Sequence, residues 1–317
     1  MNEPDKTSVD AAGRRERIVF AADDRHQIQV QVFEPTGATI GVIQILHGLG
    51  EYGDRYARFA TAANERGFAV CVHDQRGHGS HADSAGYFAV RKGWQRLSDD
   101  TLLVHRHMRD RFTEQPFTLL GHSLGSYVAQ HFAMHHGDRL SALLLSASTW
   151  PSRFLAAAGH LLARIECWRV GETRNSPLLD KLGFDNFNKR FEPARTPLDW
   201  ISRDENVVDK YIADPLCGGP YTAGLWRDLT GGLFQIASDD ALNRVPRDLP
   251  ILITGGEKDP VGGEKGLGKL AMHYAQTGHT RLKVRLYPDG RHEMLNEINR
   301  DQVTRDWLDW IAANTNT

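Results

Sequence analysis

The sequence predicts an α/β protein, a doubly wound and mostly parallel sheet carrying an inserted helical segment. Three observations lead there. Short apolar runs of strand length alternate with helix-length stretches over residues 17–148 and again from residue 249 to the C-terminal region. Between these blocks, residues 149–233 offer no convincing buried strand, yet they hold Trp150, Phe154, Trp168, Phe184, Phe187, Phe191, Trp200 and Trp226. Finally, the pentapeptide Gly121-His122-Ser123-Leu124-Gly125 joins an apolar run to a helix-like one.

In chain order, residues 1–15 are polar and charged and are expected to form a disordered tail. Residues 17–20 and 28–32 read as a hairpin around Asp23-Asp24, with period-two alternation in the second arm. The continuous apolar run 40–47 reads as a buried strand, followed by a Gly-rich loop and a helix over about 54–66. Residues 68–72, 117–120 and 140–145 are further buried strands, with helices over 94–111 and 126–136 between them. Strand, helix and strand order returns at 249–254 and 282–287, and the chain ends in a helix over about 300–312. The expected organisation is a core of residues 16–148 and 231–317 with a cap of residues 149–230. Within the cap, Phe154, Leu155, Ala158, Leu161, Leu162 and Ile165 recur at helical spacing on one side. Such a stripe docks on the core, roofs a site, or does both; Phe154, Leu161 and Leu162 are the residues expected to line an acyl pocket.

Composition narrows the function. The 317 residues are 40% apolar and 25% charged with a net charge of −2, so a soluble globular protein is expected and no basic footprint points to nucleic acid. Cys71, Cys167 and Cys217 are widely spaced and fit a reducing compartment without a disulfide framework. Residues 1–17 lack the apolar centre of a signal peptide, and no run approaches the roughly 18 apolar residues of a membrane span. A cytoplasmic location is therefore expected, with peripheral membrane contact through the apolar cap face. Oligomeric state is not legible.

The chemistry is carried by G-x-S-x-G. A serine on a sharp strand-to-helix turn projects its hydroxyl from the sheet edge, and flanking glycines leave room where side chains would clash; this is the nucleophile elbow of an α/β-hydrolase. The nucleophile needs a base, and the base needs an acid to orient it, in the order Ser…Asp/Glu…His. Asp259 follows the strand-like run 249–254, and His292 follows the run 282–287. Both thus fall at strand C-termini, the edge where open α/β sheets bind ligands. His47, His73, His78 and His122 compete with His292, but only His292 follows the last strand; His47 and His122 are expected to brace glycine-containing loops. Glu257 is the serious rival to Asp259, while Asp289 lies too near His292 in sequence. The oxyanion donors expected are the backbone N–H groups of Leu124, after the nucleophile, and Leu49, in the loop after the 40–47 strand. Glu51 and Arg55 beside that loop form either a salt bridge or a solvated pair. Residues Gly263 to Leu270 nearly spell a phosphate-binding loop, but Leu270 stands where a Mg²⁺-binding hydroxyl is needed. No metal or cofactor is expected.

These motifs together resemble the monoacylglycerol lipase and lysophospholipase group of serine hydrolases, often labelled serine aminopeptidase S33. The resemblance spans residues 17–311 and rests on His47-Gly48-Leu49-Gly50-Glu51-Tyr52-Gly53-Asp54-Arg55-Tyr56, Asp74-Gln75-Arg76-Gly77-His78-Gly79-Ser80, the elbow, Ser202-Arg203-Asp204, Ala213-Asp214-Pro215-Leu216, Gly256-Glu257-Lys258-Asp259-Pro260-Val261 and Gly290-Arg291-His292-Glu293. It implies a Ser123/Asp259/His292 triad, an oxyanion hole at Leu49 and Leu124, and a helical cap over an acyl tunnel. One departure stands out: Tyr52 occupies the place of the group's common histidine. The expected activity is hydrolysis of single-chain acyl esters, monoacylglycerols first, through an acyl-serine intermediate. The alternatives are a lysophospholipase, an S33-type peptidase, or a non-catalytic binding protein on the same fold.

Overall fold

A computed structural model describes residues 8–10, 13–82 and 84–315. Its strands are β1 (Ser8–Asp10), β2 (Gly13–Ala21), β3 (Gln27–Pro35), β4 (Gly41–Leu46), β5 (Phe68–His73), β6 (Phe117–His122), β7 (Ala142–Ser146), β8 (Ile251–Gly256) and β9 (Leu282–Tyr287). The helices are α1 (Ala57–Asn64), α2 (Gly93–Arg111), α3 (Leu124–His136), α4 (Arg153–Val170), α5 (Pro177–Phe184), α6 (Glu205–Ala213), α7 (Ala223–Ile236), α8 (Asp239–Leu242), α9 (Gly263–Gln276) and α10 (Arg300–Thr315).

The strands form one sheet in the order β1-β2-β3-β5-β4-β6-β7-β8-β9. The first joins are antiparallel, as hairpin connections allow; from β5 across to β9 every neighbouring pair is parallel. The central strands are buried along their whole length because helices cover both faces, which is why they read as unbroken apolar runs. On one face α1 and α10 pack Phe59, Trp307 and Ile311 against Ile43, Val70 and Leu144. On the other, α3 and α9 place Phe132, Leu267 and Tyr274 against Leu119, Leu143 and Ile253. Gln44, buried in β4, satisfies its amide by donating to the Thr101 carbonyl at 3.0 Å. The connection after β4 leaves toward β5, and the one after β5 returns past β4 to β6. The C-terminal ends of β4 and β6 therefore flank the switch point at which such sheets open a crevice.

Three expectations need correction. The ordered sheet starts before residue 16: Ser8–Asp10 and the first residues of β2 are paired, Gly13 opposing Pro35 and Arg15 opposing Phe33. The other residues of the expected tail, 1–7, 11 and 12, lie outside the described residues. The expected junction at 230/231 falls inside α7, so the chain returns to the sheet only after Ile236. The cap helix α4 also faces the opposite way from its apolar stripe. Its buried residues are Ala156, Ala163 and Glu166, while Phe154, Leu155, Leu161, Ile165 and Trp168 are exposed. The cause is close helix packing: α4 lies against α7 through small residues, and a methyl at Gly159 would sit 3.1 Å from Thr230. The P-loop-like string proves to be the first turns of α9, a helix rather than a phosphate-cradling loop.

Candidate active site

The elbow is built by steric necessity. Ser123 sits at φ 50° and ψ −117°, a backbone region that a residue with a Cβ rarely adopts. A methyl at Gly121 would lie 2.4 Å from the Gly125 carbonyl oxygen, and one at Gly125 would lie 2.1 Å from that of Leu46. Only glycine lets β4, β6 and α3 approach this closely. The turn is held by Ser123 N–H donating to the Ser146 carbonyl at 3.0 Å and by Ser126 Oγ donating to the Ser123 carbonyl at 2.6 Å. Leu124 opens α3, where first-turn amides have no intrahelical acceptor and the helix dipole favours negative charge.

Ser123 and His292 line one cavity of about 190 Å³, together with Gly48, Leu49 and Leu124. Asp259 stands behind His292, buried, with Oδ1 2.9 Å from His292 Nδ1 and accepting Val261 N–H at 2.9 Å. Burial opposes ionisation of Asp259, but the charge and hydrogen bond of His292 hold its carboxyl below the ordinary range. Burial likewise opposes protonation of His292, yet Asp259, then Glu293 and Glu51, raise its pKa above the usual 6.5. The Trp200 ring packs at 4.9 Å on the His292 ring, and the Trp200 carbonyl accepts His292 N–H at 3.3 Å. The Ser123 hydroxyl thus shares its cavity with an imidazole whose Nδ1 is fixed by a buried carboxylate, the set of groups that proton withdrawal from a hydroxyl requires.

The rival residues have other roles. His47 accepts Gln75 N–H at Nε2 (2.9 Å), which leaves Nδ1 to donate to the Gly48 carbonyl at 2.7 Å. It braces the loop after β4 and does not line the cavity. His122 does line it, but burial and the neighbouring His292 charge lower its pKa to about 4, so it stays neutral near pH 7. His73 and His78 are buried outside the cavity, and burial lowers them to about 3 and about 4. Glu257 pairs with Lys258 at 2.9 Å and accepts Asp289 N–H at 3.2 Å, whereas Asp259 is the acid bonded to His292.

The loop carrying Leu49 is clamped on both sides. Gly48 N–H donates to Glu51 at 2.5 Å, and the Gly50 carbonyl accepts Tyr211 OH at 2.7 Å and Gly218 N–H at 2.8 Å. Tyr52, the departure from the resembled group, donates its hydroxyl to Asp214 at 2.7 Å and so ties this loop to the cap. The cap also meets the His292 segment: Glu293 N–H donates to the Ile201 carbonyl at 2.9 Å, and buried Glu297 accepts Arg203 Nε at 2.9 Å and Arg291 N–H at 2.9 Å.

Phe154, Leu161 and Leu162 do not line the cavity, a correction that follows from the outward face of α4. Phe154 and Leu161 are 79% and 59% exposed, and Leu162 packs against the core instead. The apolar wall comes from Phe184, Phe187, Trp200, Trp226, Leu229 and Leu233, from α5, the following loops and α7. Their aromatic excess was visible in the sequence, but no periodicity connects positions so far apart. Among the described residues no group of three or more His, Cys, Asp or Glu side chains is arranged to hold a metal ion.

Known proteins bear the same stamp. The monoacylglycerol lipase of Mycolicibacterium smegmatis is 27% identical over 303 residues, covering 93% of this chain and 96% of that protein. The human monoglyceride lipase is 26% identical over 304 residues, covering 93% and 89%. Among solved structures, a highly thermostable carboxyl esterase from Bacillus coagulans, in complex with glycerol, superposes with a TM-score of 0.88 at 25% identity, covering 95% of this chain and 99% of that one. The profile described as serine aminopeptidase, S33, matches residues 37–299, across the elbow, the cap and both later strand ends. With more than half of its length inside that match, the chain belongs to the serine aminopeptidase S33 family and has the α/β-hydrolase fold.

Proposed function

We propose that the protein is a serine carboxylic ester hydrolase that cleaves single-chain acyl esters, monoacylglycerols foremost. Ser123 Oγ attacks the acyl carbon while His292 takes its proton and Asp259 steadies the resulting imidazolium. The N–H groups of Leu49 and Leu124 receive the oxyanion. Collapse breaks the ester bond; the alcohol leaves with the proton held by His292, and the acyl group stays on Ser123. Water, deprotonated by His292, then attacks the acyl carbon and releases the fatty acid. One observation carries this reading: the strained Ser123 shares an apolar cavity with His292, itself hydrogen-bonded to buried Asp259.

The lining chemistry supports a neutral alcohol over a phosphate head group. Among the described residues, the polar side chains on the cavity are Glu51, Glu293, His122, Tyr127 and Tyr211 beside Ser123 and His292, with neither Lys nor Arg. Glycerol hydroxyls can donate to such acceptors, whereas a phosphate would meet two carboxylates whose shared partner, Arg55, is already engaged by both. The relatives named as monoacylglycerol lipases point the same way. The exposed Phe154, Leu161, Ile165 and Trp168 on α4, flanked by Arg153, Arg164 and Arg169, support delivery of substrate from an anionic lipid surface. No helix among the described residues is long and apolar enough to cross a membrane.

The test is a panel of monoacylglycerols and lysophosphatidylcholines of matched chain length, with short p-nitrophenyl esters. Preferred turnover of monoacylglycerol is expected. Preference for lysophosphatidylcholine would overturn the substrate reading while leaving the ester chemistry standing.

A further inference from the structure

Behind the cavity, one guanidinium holds two carboxylates from opposite ends of the chain. Arg55 donates to Glu51 Oε2 at 2.9 Å and, with both arms, to Glu293 at 2.7 and 2.6 Å. Glu51 and Glu293 are buried, at 4% and 6% exposure, and Arg55 is mostly covered, at 12%. Tyr56 OH donates to Glu51 at 2.8 Å, Asn296 Nδ2 donates to Glu293 at 2.9 Å, and the Tyr211 ring lies 4.9 Å from the guanidinium. Glu51 is also the acceptor that takes Gly48 N–H, one residue before Leu49. A methyl at Gly48 would be 2.8 Å from Glu51 Oε1 and 3.3 Å from Ser123 Cβ, so the carboxylate is a near neighbour of the reacting centre.

This arrangement contains a conflict. The loop needs a fixed acceptor for Gly48 N–H, and a carboxylate is a strong one. A full negative charge next to a developing oxyanion, however, raises the barrier that the oxyanion donors lower. Burial opposes ionisation of Glu51, yet the Arg55 charge, then those of His122 and His47, hold its pKa down at about 2, so the carboxylate persists at neutral pH. Arg55 reaches both acids, and its two-armed bond to Glu293 joins the oxyanion loop to the residue next to His292.

We propose that Arg55 is a positioning residue: it offsets the charge of Glu51, so that this carboxylate can fix the oxyanion loop while repelling the oxyanion less, and it locks that loop to the His292 segment through Glu293. The proposal rests on the ester-hydrolase reading above.

Steady-state kinetics on a p-nitrophenyl butyrate substrate, with binding of butylboronic acid, tests it. The boronate forms an anionic tetrahedral adduct with serine and so reports on charge at the oxyanion site. Arg55→Gln is expected to lower kcat by about 30-fold with KM within about threefold, and to weaken boronate binding by a similar factor. Glu51→Gln/Arg55→Gln, which keeps an amide oxygen for Gly48 N–H and removes the unpaired charge of Glu51 while leaving that of Glu293, is expected to regain at least about fivefold in kcat over the single variant. Undiminished kcat in Arg55→Gln, or a double variant no better than the single one, would overturn the proposal. Should Arg55→Gln melt out, Arg55→Lys decides: it keeps the charge and is expected to retain kcat within about 20-fold, and a deeper loss overturns the proposal. Ser123→Ala measured alongside separates the two readings. Turnover persisting in that variant fails the ester-hydrolase reading itself, whereas an inert Ser123→Ala beside an unimpaired Arg55→Gln fails only the role of Arg55.

Discussion

Helices α3 and α4 are both rich in alanine and both carry large apolar residues, yet they treat solvent in opposite ways. Every residue of α3 from Leu124 to Met134 is buried, because the elbow turns the chain directly under the cap and onto the sheet. Helix α4 buries Ala156 and Ala163 against α7 and exposes Phe154, Leu161 and Trp168. In α3 the glycines at 121 and 125 dictate the approach, so local sequence and tertiary position agree. In α4 the small residues win the protein contact because they admit a neighbouring backbone, and the large ones are left exposed. Apolar periodicity therefore identifies a face but does not say what covers it.

The sharpest way to break the α3 side of this contrast is to remove what the elbow presents. Ser123→Ala is expected to lower kcat by about 10⁴-fold or more while leaving the melting temperature nearly unchanged, since only an oxygen at a solvent-lined turn is lost. Retained turnover would separate the elbow from catalysis. Asp259→Asn keeps the shape but leaves the imidazole in the wrong tautomer, and a loss of about 10³- to 10⁴-fold is expected in kcat. A loss below tenfold would mean that another acid, such as Glu257, orients His292.

Protons probe the same region more gently. His292 must be neutral to act as base, and its pKa is raised by Asp259 despite burial. The acid limb of the kcat/KM profile should therefore lie above pH 6.5, the ordinary value. Stability follows the opposite group of histidines. Burial lowers His73 to about 3 and both His78 and His122 to about 4, from 6.5. Between pH 6.5 and 4 these three histidines bind more protons in the unfolded chain than in the folded one, so their contribution makes stability fall as pH falls through this window and adds no slope above it. Each such histidine contributes a slope of about 1.4 kcal/mol per pH unit there. Urea midpoints at pH 7.5 and 5.5 check the sign; a higher midpoint at pH 5.5 would contradict it.

The smallest expected effect on chemistry, and the one that tests the outward face, is Leu161→Glu/Trp168→Glu. Both residues are exposed, at 59% and 87%, so stability and turnover of a water-soluble ester should change little. Binding to phosphatidylglycerol vesicles should drop by about tenfold or more through lost apolar burial. Unchanged vesicle binding would leave the α4 face without the role proposed for it.

Much of this was legible in the sequence where burial and local geometry agree. The inner parallel strands read as nearly unbroken apolar runs because both faces are covered, the edge strand β9 alternates, and Ser123, Asp259 and His292 were singled out because each follows a strand-like run. The β2 start was missed because Gly13-Arg14-Arg15 is polar: an outer strand paired by backbone hydrogen bonds needs no apolar pattern. The cavity wall was missed because Phe184, Trp200 and Leu233 meet only through tertiary packing. Arg55 and Glu293, 238 residues apart, carried no shared local signal. Their proximity follows from β4 and β9 delivering their loops to the same sheet edge.

Mass spectrometry of the protein quenched during turnover of a slowly hydrolysed acyl ester tests the acyl-serine mechanism most directly. The mechanism predicts a mass increase of one acyl group on the peptide containing Ser123, absent in Ser123→Ala. Turnover without that adduct, or an adduct mapped to another residue, would contradict it.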